Sequence, residues 1–143
     1  MHQITEQLFV GNIYDAMQPP AQIGALLLVA EEFHIDPSGS LVYGRIPFKD
    51  FGEADVNTLA EAVDWVERHL ADNRVMVCCR AGMGRSVSVV MAYLCCVEGI
   101  AYPEVLKLVL DRRPGAMPLP HLEATIQSVR QMRGANSPSS TNP

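Results

Sequence analysis

Apolar residues in the first fifty positions come in short runs, and from Val56 onward they come at helical steps. The segment Ile4-Thr5-Glu6-Gln7-Leu8-Phe9-Val10-Gly11-Asn12 alternates enough to predict a short strand ending at Gly11-Asn12. Ala25-Leu26-Leu27-Leu28-Val29-Ala30 is a continuous apolar run that reads as a buried strand, although periodicity alone leaves a helix open. Asp36-Pro37-Ser38-Gly39-Ser40 reads as a turn, and residues 41–48 as another strand with Pro47 marking its end.

Val56, Leu59, Ala60, Val63, Val66 and Leu70 then repeat at three- and four-residue steps, a helix with Asp55 as its N-cap and Asn57 as the lesser candidate. Val75-Met76-Val77-Cys78 is a short apolar strand, and a glycine-containing turn joins it to a helix over about residues 86–98. That helix is apolar almost all round, so it belongs in the centre of the molecule, with Gly99 where a C-terminal cap is expected. A further helix is predicted over 103–112, and a last one from about Pro120 with Leu122, Ile126, Val129 and Met132 on one face. Strands interleaved with one helix, followed by a helical second half that must cover a sheet, predict the α/β class.

The 143 residues suit one domain, expected over residues 1–133, with a disordered tail over 134–143. Hydrophobic content of 48% against 19% charged residues marks a globular chain. A net charge of −5 argues against broad nucleic-acid binding, so positive potential for an anionic substrate must be local. The apolar runs fall short of the ~20 residues of a membrane span, and residues 1–10 do not read as a signal peptide. The four cysteines stand as adjacent pairs, Cys78-Cys79 and Cys95-Cys96, which suits a reducing cytoplasm rather than a disulfide framework. No cysteine or histidine set has metal spacing, so neither metal nor cofactor is expected.

The chemistry is concentrated in Val77-Cys78-Cys79-Arg80-Ala81-Gly82-Met83-Gly84-Arg85-Ser86. A buried strand ends in a cysteine, and an arginine follows where a helix begins. Backbone N–H groups of such a turn, with the unpaired N–H groups of a helix start, suit one bound anion. Gly82 and Gly84 are expected to supply backbone angles closed to other residues and close approach to phosphate oxygens. The setting favours a thiolate at Cys79, a strong nucleophile toward phosphorus. Arg85 offers a planar fork for two phosphate oxygens. Ser86 is placed to hydrogen-bond the sulfur and ease its departure.

This span resembles the C-x5-R-[ST] loop of cysteine-dependent phosphatases in its dual-specificity form. Leu8-Phe9-Val10-Gly11-Asn12 resembles the family's "LYLGN", and Leu28-Val29-Ala30-Glu31-Glu32 its "NVAEE". Ile46-Pro47-Phe48-Lys49-Asp50 resembles "IPxxD", and Arg112-Arg113-Pro114 resembles "RRP". Four supporting segments in family order are far more specific than the loop alone. The resemblance implies a central mixed, mostly parallel sheet of four to five strands flanked by helices. It implies a phosphatase that acts through a phosphocysteine on phosphotyrosine and phosphoserine or phosphothreonine. It also implies that Asp50 is the general acid, a choice the residues alone do not make over Asp36, Asp55 or Asp111. The phosphate-binding loop would be Arg80, Ala81, Gly82, Met83, Gly84 and Arg85. The partner would be a phosphorylated protein or a small phosphate ester, met by a monomer.

Three positions depart from the family pattern. Cys78 stands where histidine is usual, Gly84 where serine is common, and Pro114-Gly115-Ala116 where an asparagine usually follows. The AGxGR form resembles that of glucan phosphatases, phosphoinositide-directed members and phytase-like enzymes, which implies phosphoinositide, inositol phosphate or glucan as alternative substrates, and Arg80 would add a second cation suited to a polyanion. A rhodanese-type sulfurtransferase and a non-catalytic phosphate reader are the remaining alternatives; five residues between Cys79 and Arg85 favour phosphate over the first. Cys78, Cys95 and Cys96 are expected in the core. Arg112 and Arg113 are expected as helix-end cations rather than substrate contacts.

Overall fold

The computed structural model describes residues 1–37 and 39–136. Among these, a five-stranded sheet is built from β1 (His2–Gln3), β2 (Leu8–Gly11), β3 (Ala25–Ala30), β4 (Val42–Phe48) and β5 (Val75–Cys78). The helices are α1 (Ile13–Met17), α2 (Val56–Leu70), α3 (Arg85–Cys96), α4 (Tyr102–Arg112) and α5 (Leu122–Asn136). The strand order is β1-β2-β5-β3-β4, with β1 antiparallel to β2 and every other neighbour parallel. This is the expected α/β architecture, a mixed and mostly parallel sheet flanked by helices.

Parallel strands need crossovers, and the crossovers cover the sheet. β3 is buried at every residue, which explains its unbroken apolar run. β4 lies at the edge, so Pro47 is tolerated inside the strand and does not end it, because an edge residue needs no ladder N–H on its outer side. α2 begins where Asp55 accepts from the Thr58 N–H at 3.0 Å, and it buries Leu59, Ala60, Ala62, Val63, Trp65 and Val66. α3 is buried from Arg85 to Cys95 and packs on β2, β3 and β5, with α2, α4 and α5 around it. Gly99, at φ 71, turns the chain after α3, and the Ile100 N–H returns to the Leu94 carbonyl at 3.2 Å.

The N-terminal region differs from expectation. The single strand predicted from Ile4 is instead a hairpin, with His2 opposite Val10 and Gln3 opposite Phe9. Ile4 lies in its turn, donating to the Leu8 carbonyl at 2.8 Å while its side chain enters the core. The short α1 was not anticipated. Asn12 and Asp15 cap it reciprocally, at 3.0 and 2.9 Å, a capping box legible as Asn-x-x-Asp. At the other end, residues 134–136 continue α5 instead of starting the tail, and residues 137–143 lie outside the described residues. The turn expected at 36–40 includes Ser38, which lies outside them too. No helix among the described residues is long and apolar enough to cross a membrane.

The register brings four strand ends to one edge, with β3 and β4 running two residues beyond the level of Cys78. Gly11 and Leu28 both stand opposite Cys78, and Ala30 stands opposite Phe48. Asn12, Cys79, Glu31 and Lys49 therefore leave the sheet along one edge, the carboxyl edge where open α/β sheets place ligands.

Candidate active site

At this edge β5 gives way to the 79–85 loop, and α3 begins at Arg85. Five successive carbonyls of the loop are held from outside. Arg80 accepts from the Ile13 N–H at 3.2 Å, and Met83 from the Met117 N–H at 2.7 Å. Ala81 and Gly82 accept from Arg113, through Nη2 at 3.2 Å and Nε at 3.0 Å. Gly84 accepts from the Ser88 hydroxyl at 2.8 Å and the Ser88 N–H at 2.9 Å. A trans peptide points its C=O and its N–H in opposite directions. Carbonyls drawn outward therefore turn the next N–H groups inward, from Ala81 to Arg85. Among the described residues, none of the N–H groups of residues 80–84 has a protein acceptor. Such a ring of free amides at a helix start is a cradle for an anion.

Cys79 sits at the base of this loop, buried, with its Sγ 3.2 Å from the hydroxyl of the fully buried Ser86. Its own N–H reaches the Gly11 carbonyl at 3.4 Å. Arg85 is 2% exposed. Its Nη1 donates to Glu32 Oε1 at 2.6 Å and to the Phe48 carbonyl at 3.2 Å, and its Nη2 to Glu32 Oε2 at 2.7 Å. The hydrogen bond from Arg85 holds the Glu32 carboxyl down at about 2 against an ordinary 4.5, and Glu32 in turn raises the arginine. An arginine has five N–H donors. Those on Nε and the second on Nη2 have no protein acceptor among the described residues, leaving the side of the fork open.

Asp50 lies just past β4, with Oδ2 3.8 Å from Arg85 Nη2. Its Oδ1 accepts from the Phe51 N–H at 3.1 Å. Phe51 has φ 60 and Gly52 φ 116, so this segment turns through the left-handed region, and the Phe51 side chain projects into solvent, 89% exposed. The arrangement places a sulfur, a hydroxyl, a buried guanidinium and a carboxylate around one ring of amides. Among the described residues no cluster of three His, Cys, Asp or Glu side chains is placed to hold a metal ion.

The two glycines of the loop are not equivalent. Gly82 has φ 70, and a Cβ there would stand 2.6 Å from the Gly11 carbonyl and against Arg113. Gly84 has φ −116, and a Cβ would meet the Met117 carbonyl at an ordinary 3.4 Å. The expectation that both need glycine backbone angles holds only for Gly82. Arg80 and Ala81 are exposed, and Met83 is half-buried. Cys78 points into the core, where burial, with the charges of Asp15 and Cys79, pushes its thiol well above the usual range.

Several residues at the site had a different role, or none, in the sequence reading. Glu32 stood in a quoted segment without a partner. Arg113, expected as a helix-end cation, is 4% exposed and braces the loop instead; Arg112 remains exposed. Ser88 is buried, donating to Gly84 and accepting from the Leu119 N–H at 2.9 Å. The one available signal was polarity in apolar context: a serine inside an otherwise apolar helix asks for a buried partner.

The profile of the family described as dual specificity phosphatase, catalytic domain, matches residues 8–132. Dual specificity protein phosphatase 15 of Rattus norvegicus is 31% identical, over 96% of this chain and 59% of that protein. Dual specificity protein phosphatase 1B of Arabidopsis thaliana is 27% identical, over 96% of this chain and 86% of that protein. The chain thus spans under two thirds of the length of the rat relative. The crystal structure of human DUSP28 matches it with a TM-score of 0.79 at 21% identity, over 92% of this chain and 93% of that one, a likeness of fold. With its profile match running from β2 into α5, the chain belongs to the family of dual specificity phosphatase catalytic domains.

Proposed function

We propose that this chain hydrolyses phosphate monoesters through a phosphocysteine at Cys79, acting on phosphotyrosine and on phosphoserine or phosphothreonine in proteins. The observation that carries the reading is the ring of outward carbonyls from Arg80 to Gly84, which leaves the inward amides free at a helix start beside the Cys79 sulfur. In this reading the 79–85 loop cradles the phosphate, and the open side of Arg85 takes two of its oxygens. The Cys79 thiolate attacks phosphorus, a sulfur–phosphorus bond forms, and the bond to the ester oxygen breaks. Asp50 gives its proton to the departing oxygen. The Asp50 carboxylate then takes a proton from water, whose oxygen displaces the sulfur, with the Ser86 hydroxyl hydrogen-bonded to the leaving thiolate. The amides and Arg85 stabilise the charge that spreads over the phosphoryl oxygens.

The amides and Arg85 supply this charge stabilisation, and the scheme needs no metal. The catalytic unit runs to the end of α5 at Asn136 and works as a monomer. Four free cysteines support a reducing, cytoplasmic location, and a net charge of −5 supports protein rather than nucleic-acid partners. The deciding experiment is rapid acid quench with a 32P-labelled phosphopeptide, followed by mapping of the label. Label on Cys79, and its absence from Cys79→Ser protein that still binds the peptide, is the expected result. Turnover retained by Cys79→Ser would remove the sulfur from the mechanism.

A further inference from the structure

The brace behind the 79–85 loop does not end at Arg113. With Nε and Nη2 committed to Gly82 and Ala81, the guanidinium turns its remaining terminal nitrogen, Nη1, to the Nδ1 of His2 at 2.6 Å. Arginine carries donors only, so Nδ1 must be the acceptor and the imidazole must be neutral. His2 is held in place by β1, which pairs it with Val10 on β2. β2 runs on to Gly11, whose carbonyl receives the Cys79 N–H. The N-terminal hairpin thus touches the loop twice, once through Gly11 and once through His2 and Arg113.

We propose that neutral His2 is a positioning residue for the phosphate-binding loop: by accepting from Arg113 it keeps the guanidinium plane on the carbonyls of Ala81 and Gly82, and so keeps the N–H groups of Gly82 and Met83 turned toward phosphate. The inference rests on the reading of the loop as a phosphate cradle. Protonation of His2 sets an N–H against an N–H and a cation against a cation, and the contact is lost. The charged groups facing His2 are the Arg113 guanidinium from the end of α4, the amino group of Met1 beside it, and the Asp15 carboxylate from α1. Burial and the two cations lower the imidazole below its ordinary 6.5 and Asp15 opposes them, so the brace opens as the pH falls below that value. Simple attraction makes the opposite forecast, since a cationic His2 would draw a dianion toward the loop. The sign of the pH effect separates the two.

Sulfate is a dianion throughout pH 5–8, and Cys79→Ser removes the thiol from the titration. Sulfate affinity of Cys79→Ser protein is expected to fall about fivefold from pH 7.5 to pH 5, a modest coupling between two sites. Adding His2→Asn, whose carbonyl accepts but does not titrate, is expected to hold the high-pH affinity across the range. Adding His2→Phe is expected to give the low-pH affinity throughout. By reciprocity, sulfate must lower the His2 titration midpoint read by NMR. Affinity that rises as His2 protonates, or a His2→Phe protein that binds like its parent at pH 7.5, overturns the brace and leaves the phosphate loop standing. Failure to bind sulfate or any other phosphate mimic at any pH overturns the loop reading as well.

Discussion

Glu32 grips Arg85 with both carboxylate oxygens, at 2.6 and 2.7 Å, across 53 residues of chain. The guanidinium is almost wholly buried, so its charge depends on this partner and on the Phe48 carbonyl. Removing one member of a fully buried pair costs ~3–5 kcal/mol. The Glu32 side chain is 32% exposed, which lets water take part of its place. Glu32→Ala is expected to lose about 2 kcal/mol of stability in urea denaturation, with kcat/KM down about a hundredfold as Arg85 loses its aim.

The same pair sets an acid sensitivity. Glu32 is held at about 2 in the folded state against an ordinary 4.5. Between these values the unfolded chain binds the extra proton, so stability rises with pH there. The contribution is complete above about 4.5 and is lost as the pH falls toward 2. Glu32→Gln should flatten the stability profile of thermal melts across that window; a profile as steep as that of the parent would mean that other carboxylates carry the acid unfolding.

Gly82 and Gly84 should respond unequally to the same change. Gly82→Ala puts a side chain at φ 70 and drives it at the Gly11 carbonyl and Arg113. A left-handed non-glycine residue costs ~1–3 kcal/mol before any displacement, so a loss of at least about 2 kcal/mol is expected, with loss of most activity. Gly84→Ala enters ordinary contact at an ordinary φ and should shift stability by less than about 1 kcal/mol. Equal melting temperatures for the two variants would contradict the loop geometry.

Ser88 joins the loop to the segment before α5. Ser88→Ala leaves the buried Leu119 N–H without its acceptor and frees the Gly84 carbonyl of its hydroxyl. The expected cost is ~1–3 kcal/mol. Faster hydrogen exchange at Leu119, measured by mass spectrometry or NMR, would locate the effect.

Asp50 reaches to 3.8 Å from Arg85 without taking the place of Glu32, whereas Asp55 is occupied in capping α2 through Thr58. Asp50→Ala should lower kcat about 100- to 10,000-fold for alkyl phosphates, with KM little changed. Leaving groups that need no proton should lose least. A larger loss from Asp36→Ala or Asp55→Ala would reassign the acid.

Legibility followed contact range. The helix of residues 56–70 and the strand of residues 25–30 were readable because an apolar stripe or run reports the face that must be buried. The loop was readable because Cys79, Gly82, Arg85 and Ser86 lie within eight consecutive residues whose local backbone is a strand, a turn and a helix start. The hairpin of β1 and β2 was misread because its turn buries Ile4, giving a turn the apolar residue expected of a strand. The role of Arg113 was misread because a cation in a last helical turn has a sufficient local reason to be there.

By itself the sequence determined the alternation of strands and helices, the central α3, and a cysteine-to-arginine turn whose residue types suit an oxyanion. Tertiary structure alone decided that Glu32 holds Arg85, that Arg113 and Met117 draw the loop carbonyls outward, and that Gly82, not Gly84, must lack a side chain. The reason is physical. Periodicity and turn chemistry act between residues a few positions apart, whereas a buried charge or carbonyl is satisfied by whichever polar atom folding brings within about 3 Å, and neighbouring letters do not name that atom.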